Sequence, residues 1–258
     1  MTVTPELLLP PTDLQYADIP EGSDLSHLLQ GTFFLPESLC PRPFCLLPGA
    51  CPVLLFTADG ESLFFGPRTQ PLLLPPRTSS LYGVVLRCSC GDWLWRESME
   101  SLLNTWTPLE PLLSGSENLC AELTQATSFA QRNTLFARLA VLQGARSYRP
   151  LPSIHRCRRL MDERHGQVSV TELATAADCS ERHLNRLMHQ KTGLGTKTAC
   201  QLQQLNFSLH IMLTANPRSL LHLAVNCGYF DQAHMSRQYR KYLTCSAGEL
   251  HRITRSNP

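Results

Sequence analysis

A repeat constrains this chain more than any other feature. SERHLNRLMHQKTGLG (180–195) aligns with DQAHMSRQYRKYLTCS (231–246) at a constant offset of 51. Ser180 falls on Asp231, His183 on His234, Leu184 on Met235, Arg186 on Arg237 and Met188 on Tyr239. A short apolar stretch and a turn precede each copy, LATAADC (173–179) and LAVNCGYF (223–230). Ala174 and Ala224 are small residues where two helices must cross closely. Asp178 and Gly228 occupy the turn, which needs a residue tolerant of positive φ. Helix, tight turn and capped helix make a helix-turn-helix unit, and here the unit occurs twice.

The second helix of each unit carries the chemistry. In 180–192, Leu184, Leu187 and Met188 recur at helical spacing and face a core. That leaves Arg182, Asn185, Arg186 and His189 on the opposite side. In 231–242, Met235, Tyr239 and Tyr242 point inward, while Gln232, Ala233, Ser236, Arg237 and Arg240 point out. Arginine offers a bidentate fork to guanine N7 and O6, Asn or Gln matches adenine, and a small Ala meets a thymine methyl. Ser236, Arg240 and Lys241 lie toward the flank or helix end and suit phosphates. A solvated basic face is the plainer reading of one such helix; two in tandem, each behind the right helix and turn, favour a major-groove reader. A long helix over 196–215 joins them. At about 1.5 Å per residue it spans roughly 30 Å, close to one turn of duplex DNA.

LATAADCSERHLNRLMHQKTGLG resembles the first helix-turn-helix of the AraC/XylS-type transcriptional regulators. CGYFDQAHMSRQYRKYLTCSAGEL resembles their C-terminal signature, and the likeness covers about 170–254. The resemblance implies DNA contacts from Arg182, Asn185 and Arg186 in the first unit and Gln232, Ala233 and Arg237 in the second. Upstream, LLPGACPVLLF (46–56), FGPRTQPLLL (65–74) and GVVLRCSCGDWLW (83–95) resemble the β-rich N-terminal domain of one subgroup. The chain departs from the family in several places. Gly195–Thr196 and Ser246–Ala247 stand where Ser-Pro is usual, Thr244 replaces a closing glycine, and Met188 replaces an aromatic. Gln201, Gln204 and Leu205 occupy a helix that usually carries arginine. Fewer cations there imply weaker DNA binding on an unchanged fold.

Charge and proline divide the 258 residues the same way. Residues 1–150 carry 9 Arg, no Lys and 14 acids; residues 151–258 carry 14 Lys and Arg against 7 acids, and hold 8 of the 9 histidines. An acidic half beside a basic half points to a polyanion partner for the second half alone. Of 19 prolines, 16 fall at or before Pro150. The first hundred residues are short apolar runs between turn signals: GTFFL (31–35), PVLLF (52–56), SLFFG (62–66), PLLL (71–74) and SLYGVVLRC (80–88). These predict a small β-barrel or sandwich. DWLWRESMESLLN (92–104) and the stretch 117–145 read as helical, broken at Ser114–Gly115–Ser116. Trp93 and Trp95 alternate as in a strand and equally suit a helix start. From Ser153 helices are predicted near 153–165, 171–177, 180–192, 196–215, 219–226, 231–242 and 246–254, with Asn216–Pro217 ending the fourth. The expected fold is two-domain α+β: residues 1–147 as a β-rich sensor or association domain with C-terminal helices, Tyr148–Pro152 as linker, and 153–258 as an all-α tandem helix-turn-helix domain. Residues 151–258 are expected to fold alone.

No 18-residue apolar stretch predicts a membrane span, and MTVTPELLLPPTDL lacks the basic start of a secretory signal. A bacterial cytoplasmic setting is expected, with eleven reduced cysteines. Cys40, Cys45, Cys51, Cys88 and Cys90 cluster in the β half. A thiolate metal or redox sensor was weighed against buried apolar packing; no zinc spacing is present, and packing is the preferred reading, with no structural zinc and no disulfide. The first half holds one histidine, His27, and no His-x-His, GxSxG or phosphate loop, which argues against catalysis and against a metal or other cofactor. Phe33, Phe34, Phe64, Phe65, Trp93 and Trp95 suit core packing better than a ligand pocket. The expected function is sequence-specific binding of double-stranded DNA by a transcription regulator, with RNA polymerase as partner and a small-molecule effector of unknown site. The resemblance favours activation. The alternative is a protein-interaction module whose helix-turn-helix domain no longer reads sequence.

Overall fold

The apolar runs of the first half are unbroken because both faces of the sheet they form are covered. In the computed structural model, which describes residues 3–20, 22–215 and 217–256, β1 is Gln15–Asp18, β2 Leu29–Leu35, β3 Phe44–Leu46 and β4 Val53–Thr57. β5 is Ser62–Phe65, β6 Leu72–Leu74, β7 Leu81–Leu86 and β8 Trp106–Pro108. An antiparallel sheet runs in the order β1-β2-β7-β4-β5-β8, and β3 pairs with β6 in a second, small sheet. Alternate residues serve alternate faces. Phe33, Leu35, Val53, Leu55, Leu63, Phe65 and Leu81 pack with Leu46 and Leu74 of the small sheet. Phe34, Leu54, Phe56, Phe64, Tyr82 and Val84 pack beneath α1, Ser116–Gln125, and α2, Phe129–Leu142, through Leu119, Leu123 and Phe136. Gly83 lies opposite Phe33 across the β2–β7 pair, and any Cβ there would sit 2.0 Å from the Phe33 ring.

One helical expectation is corrected. Residues 92–104 form no α-helix: they make 3-10 turns at Gly91–Trp93 and Met99–Leu102. The chain there must straighten to pair β8 with β5, and its Thr105 carbonyl accepts from Gly66 N–H at 3.1 Å. Trp93 is therefore in a short turn and buried. The stretch 117–145 is split into α1 and α2, because the Ser128 side chain accepts from Gln131 N–H at 3.2 Å and caps a new helix.

The second half is helical as predicted: α3 Pro152–Glu163, α4 Val170–Ala177, α5 Glu181–Thr192, α6 Thr196–Ala215, α7 Leu220–Asn226, α8 Gln232–Leu243 and α9 Ala247–Ser256. Asn216, read with Pro217 as ending the fourth helix, lies outside the described residues. α6 is long enough to serve two cores. Ala199 and Cys200 near its start join Ile154, Cys157, Leu173, Leu184 and Met188. Leu202, Leu205, Leu209 and Met212 join Leu223, Met235, Tyr239, Tyr242 and Leu250. At the centre of the second core, Ser208 Oγ lies 3.0 Å from Tyr239 Oη and 3.3 Å from Tyr229 Oη, so these buried hydroxyls satisfy one another. Leu8, from a 3-10 turn at Pro5–Leu8, is 2% exposed in this second core. That contact crosses the boundary drawn at 147 and 153.

Candidate nucleic-acid interface and interdomain cavity

Each recognition helix starts from the same device. Ser180 Oγ accepts from His183 N–H at 3.2 Å, and Asp231 Oδ1 accepts from His234 N–H at 2.5 Å. The preceding turns take positive φ at Asp178 (56°) and Gly228 (73°), and Ala174 and Ala224 are buried where the helices cross. α4 itself begins with a capping box between Ser169 and Glu172. These caps fix where each helix begins, and so which residues face outward.

Seven of the nine residues predicted to face outward are exposed, and His189 and Ser236 are half-buried. On α5, Arg182, Asn185 and Arg186 are exposed, while Leu184 and Met188 are buried. On α8, Gln232, Ala233, Arg237 and Arg240 are exposed, Ser236 is half-buried, and Met235, Tyr239 and Tyr242 are buried. Arg186 Nη2 lies 3.2 Å from His183 Nδ1, which holds its guanidinium along the helix. Two residues have further engagements. Asn185 Oδ1 accepts from Thr196 N–H at 3.0 Å and so caps α6. His189 is half-buried and turned toward the N-terminal domain, its Nδ1 3.3 Å from a Glu100 carboxylate oxygen.

The unusual residues of α6 and α9 are structural. Gln204 is buried and donates to the Cys227 carbonyl at 2.8 Å, tying α6 to the second turn. Gln201 Oε1 accepts from Tyr242 Oη at 2.7 Å and from Lys241 Nζ at 3.2 Å. Leu205 is core. Ser246 Oγ accepts from Glu249 N–H at 3.2 Å, which caps α9 without a proline.

The first unit docks on the N-terminal domain at the end of α5. Lys191 Nζ donates to Asp92 Oδ2 at 2.7 Å, and Asp92 also accepts from Tyr148 of the linker. Gly193, at φ +70°, sits so close that a Cβ would lie 2.7 Å from the Met99 carbonyl. These anchors were not legible in the sequence.

Between the domains lies a cavity of about 570 Å³. Leu14, Phe33, Phe44 and Val53 line one side; Leu209, Leu213 and Phe207 line the other. Of the aromatic residues singled out in the sequence, Phe33 reaches it; Phe34, Phe64, Phe65 and Trp93 are core. Arg68 also lines the cavity. It is 5% exposed, and its N–H groups meet the carbonyls of Gly66 (2.7 Å), Leu47 (3.3 Å) and Cys51 (3.5 Å). Among the described residues no carboxylate pairs with it, and burial pushes its guanidinium down to about 10. His165, stacked on Phe207 with ring centroids 3.7 Å apart, and His210 complete the polar rim. No metal-holding group of His, Cys, Asp and Glu occurs, and no helix is long and apolar enough to cross a membrane, among the described residues.

A family model described as a helix-turn-helix domain matches residues 173–253. No curated protein matches the chain. Among solved structures, ToxT from Vibrio cholerae O395 is similar at 8% identity and a TM-score of 0.47, over 95% of this chain and 99% of that one. A 1.65 Å ToxT structure from Vibrio cholerae is similar at 9% identity and a TM-score of 0.48, over 93% and 98%. ToxT bound to unsaturated fatty acid, from strain SCE256, is similar at 9% identity and a TM-score of 0.41, over 81% and 85%. The stretch that this helix-turn-helix model matches, residues 173–253, is the one that carries the two capped units joined by α6.

Proposed function

We propose that the chain is a sequence-specific transcriptional activator that places α5 and α8 in successive major grooves and responds to a small molecule through its N-terminal half. One observation carries this reading: the same exposed polar face occurs twice, with arginine at the same position beyond the same cap. Arg186 and Arg237 reach base edges, with Arg182, Gln232 and Ala233 beside them. Ser236, Arg240 and Lys241 contact phosphates. Asn185 and His189 contribute by fixing α6 and the domain seam rather than by reading bases. Activation proceeds through RNA polymerase recruited beside the bound site. The test is a salt titration of binding to a duplex selected from random sequence. Affinity falls linearly on a log–log plot, with a slope of about −0.9 per neutralised phosphate. If no duplex is selected and binding is indifferent to salt, the chain is a protein-interaction module instead.

The cavity supports an effector of particular chemistry. Its volume of about 570 Å³ and apolar walls suit an elongated apolar molecule. The buried Arg68, without a carboxylate, supports an anionic group on that molecule, since a buried charge is costly unless paired. A medium-chain alkyl carboxylate then raises the melting temperature, and the alcohol of equal length does not. Equal shifts would remove the anion from this reading.

A further inference from the structure

Cys51 and Cys88 meet at the seam between the domains. The Leu86 N–H donates to the Pro52 carbonyl at 2.9 Å, which sets their two segments side by side just beyond β4 and β7. Both side chains line one small cavity with Arg87, Arg158 and Asp162. Cys51 Sγ donates to Gln30 Oε1 at 3.0 Å. The surroundings hold Arg68, Arg87 and Arg158 and one carboxylate, Asp162, which works against a thiolate on either sulfur. Arg68 donates to the Cys51 carbonyl, Arg87 to the Ser26 carbonyl at 2.6 Å, and neither meets a carboxylate among the described residues; Arg158 is paired with Asp162. Hydrogen bonding with Cys88 outweighs burial and the nearby Asp162 carboxylate and, with a smaller contribution from Arg68, holds the Cys51 thiol below the ordinary thiol range. The same bond and burial push Cys88 well up. Burial also pushes up Cys40, Cys45, Cys90, Cys120, Cys157, Cys200, Cys227 and Cys245.

We infer that Cys51 and Cys88 form a hydroperoxide-reactive dithiol, with Cys51 the attacking sulfur and Cys88 the resolving one. This departs from the apolar-packing role read for the cysteines in the sequence. Cys51 is half-buried and also borders the large interdomain cavity, which gives a small peroxide a path to it. Its thiolate attacks one peroxide oxygen: an S–O bond forms, the O–O bond breaks, and the departing hydroxide takes the thiol proton as water. Cys88 then attacks the sulfenic sulfur. The S–S bond forms, the S–O bond breaks, and the hydroxyl leaves with the Cys88 proton as a second water. The two thiols lose two electrons and hydrogen peroxide gains them. The loop that carries Cys51 also meets α6, where Asn206 donates to the Pro48 carbonyl at 3.0 Å, so the cross-link forms where the domains touch.

The test uses the full reduced chain, stoichiometric hydrogen peroxide, alkylation and peptide mass spectrometry. The expected product is a Cys51–Cys88 cross-linked peptide, with two of the eleven thiols lost and both recovered by dithiothreitol. In Cys88→Ser a dione probe traps sulfenic acid on Cys51 and no cross-link forms; in Cys51→Ser, Cys88 stays reduced at the same dose. Linkage of another pair, oxidation spread evenly to half-exposed Cys179, or an unreacted Cys51 thiol in Cys88→Ser would each overturn the inference. Mapping of the unsubstituted chain decides the pair even if a variant folds poorly.

Discussion

The two helix-turn-helix units share their reading face and differ in almost everything that holds it. In the first, the turn takes 178–180 and α5 closes on Gly193; in the second, the turn takes 227–231, leaves Phe230 90% exposed, and α8 closes on Thr244. The first is fastened to the N-terminal domain by polar contacts at a helix end, Lys191 to Asp92 and His189 to Glu100. The second takes an apolar strap, Leu8, into its core. Caps and outward residues are local and repeat with the sequence, whereas anchors are long-range and need not. The units can therefore read DNA alike while depending on the N-terminal domain through different physics.

The strap gives the largest expected effect. Leu8→Ala removes a buried leucine from the second core and should destabilise that unit by about 2–4 kcal/mol. Hydrogen exchange should show faster opening of α8 with α4 little changed; equal loss in both would erase the contrast. The polar anchor is weaker. In the Asp92→Asn and Lys191→Met cycle, a part-exposed pair at 2.7 Å should couple by about 1 kcal/mol. A coupling near zero in melts at low salt would leave Gly193 packing and the His189–Glu100 contact to hold that unit to its neighbour. The smallest effect lies at the closing residue. Thr244 holds φ 66°, a region hostile to a β-branched side chain, so Thr244→Gly should stabilise by about 0.5–1 kcal/mol. Gly193→Ala should do the reverse, because that position combines positive φ with the close Met99 carbonyl.

The same division explains what the sequence disclosed. Helices α3–α9 were legible because apolar spacing follows one face and, for α5 and α8, because Ser180 and Asp231 stand as caps. Strands β2, β4, β5 and β7 were legible as two-faced apolar runs. β1 was not, since its QYAD is a mostly exposed edge with no apolar alternation, and β8, also an edge, has three residues. Residues 92–104 read as a helix because their apolar residues are buried in two short turns, Trp93 in one and Met99 with Leu102 in the other, the latter pair at a spacing a helix also permits. At the reading face, Arg186 and Arg237 could be placed from the repeat alone. The engagement of Asn185 with Thr196 and of His189 with Glu100 could not, since each partner is set by tertiary packing. Nor does spacing reveal that Arg68 lacks a carboxylate or that Cys51 meets Cys88.

The most direct test is binding of Arg186→Ala and Arg237→Ala to a selected duplex and to a scrambled one at two salt concentrations. Each substitution should cost about 1–3 kcal/mol on the selected duplex and little on the scrambled one. Ser236, Arg240 and Lys241 substitutions should weaken both duplexes alike and flatten the salt slope. An unchanged selected-to-scrambled ratio in Arg186→Ala and Arg237→Ala would contradict base reading by the two helices.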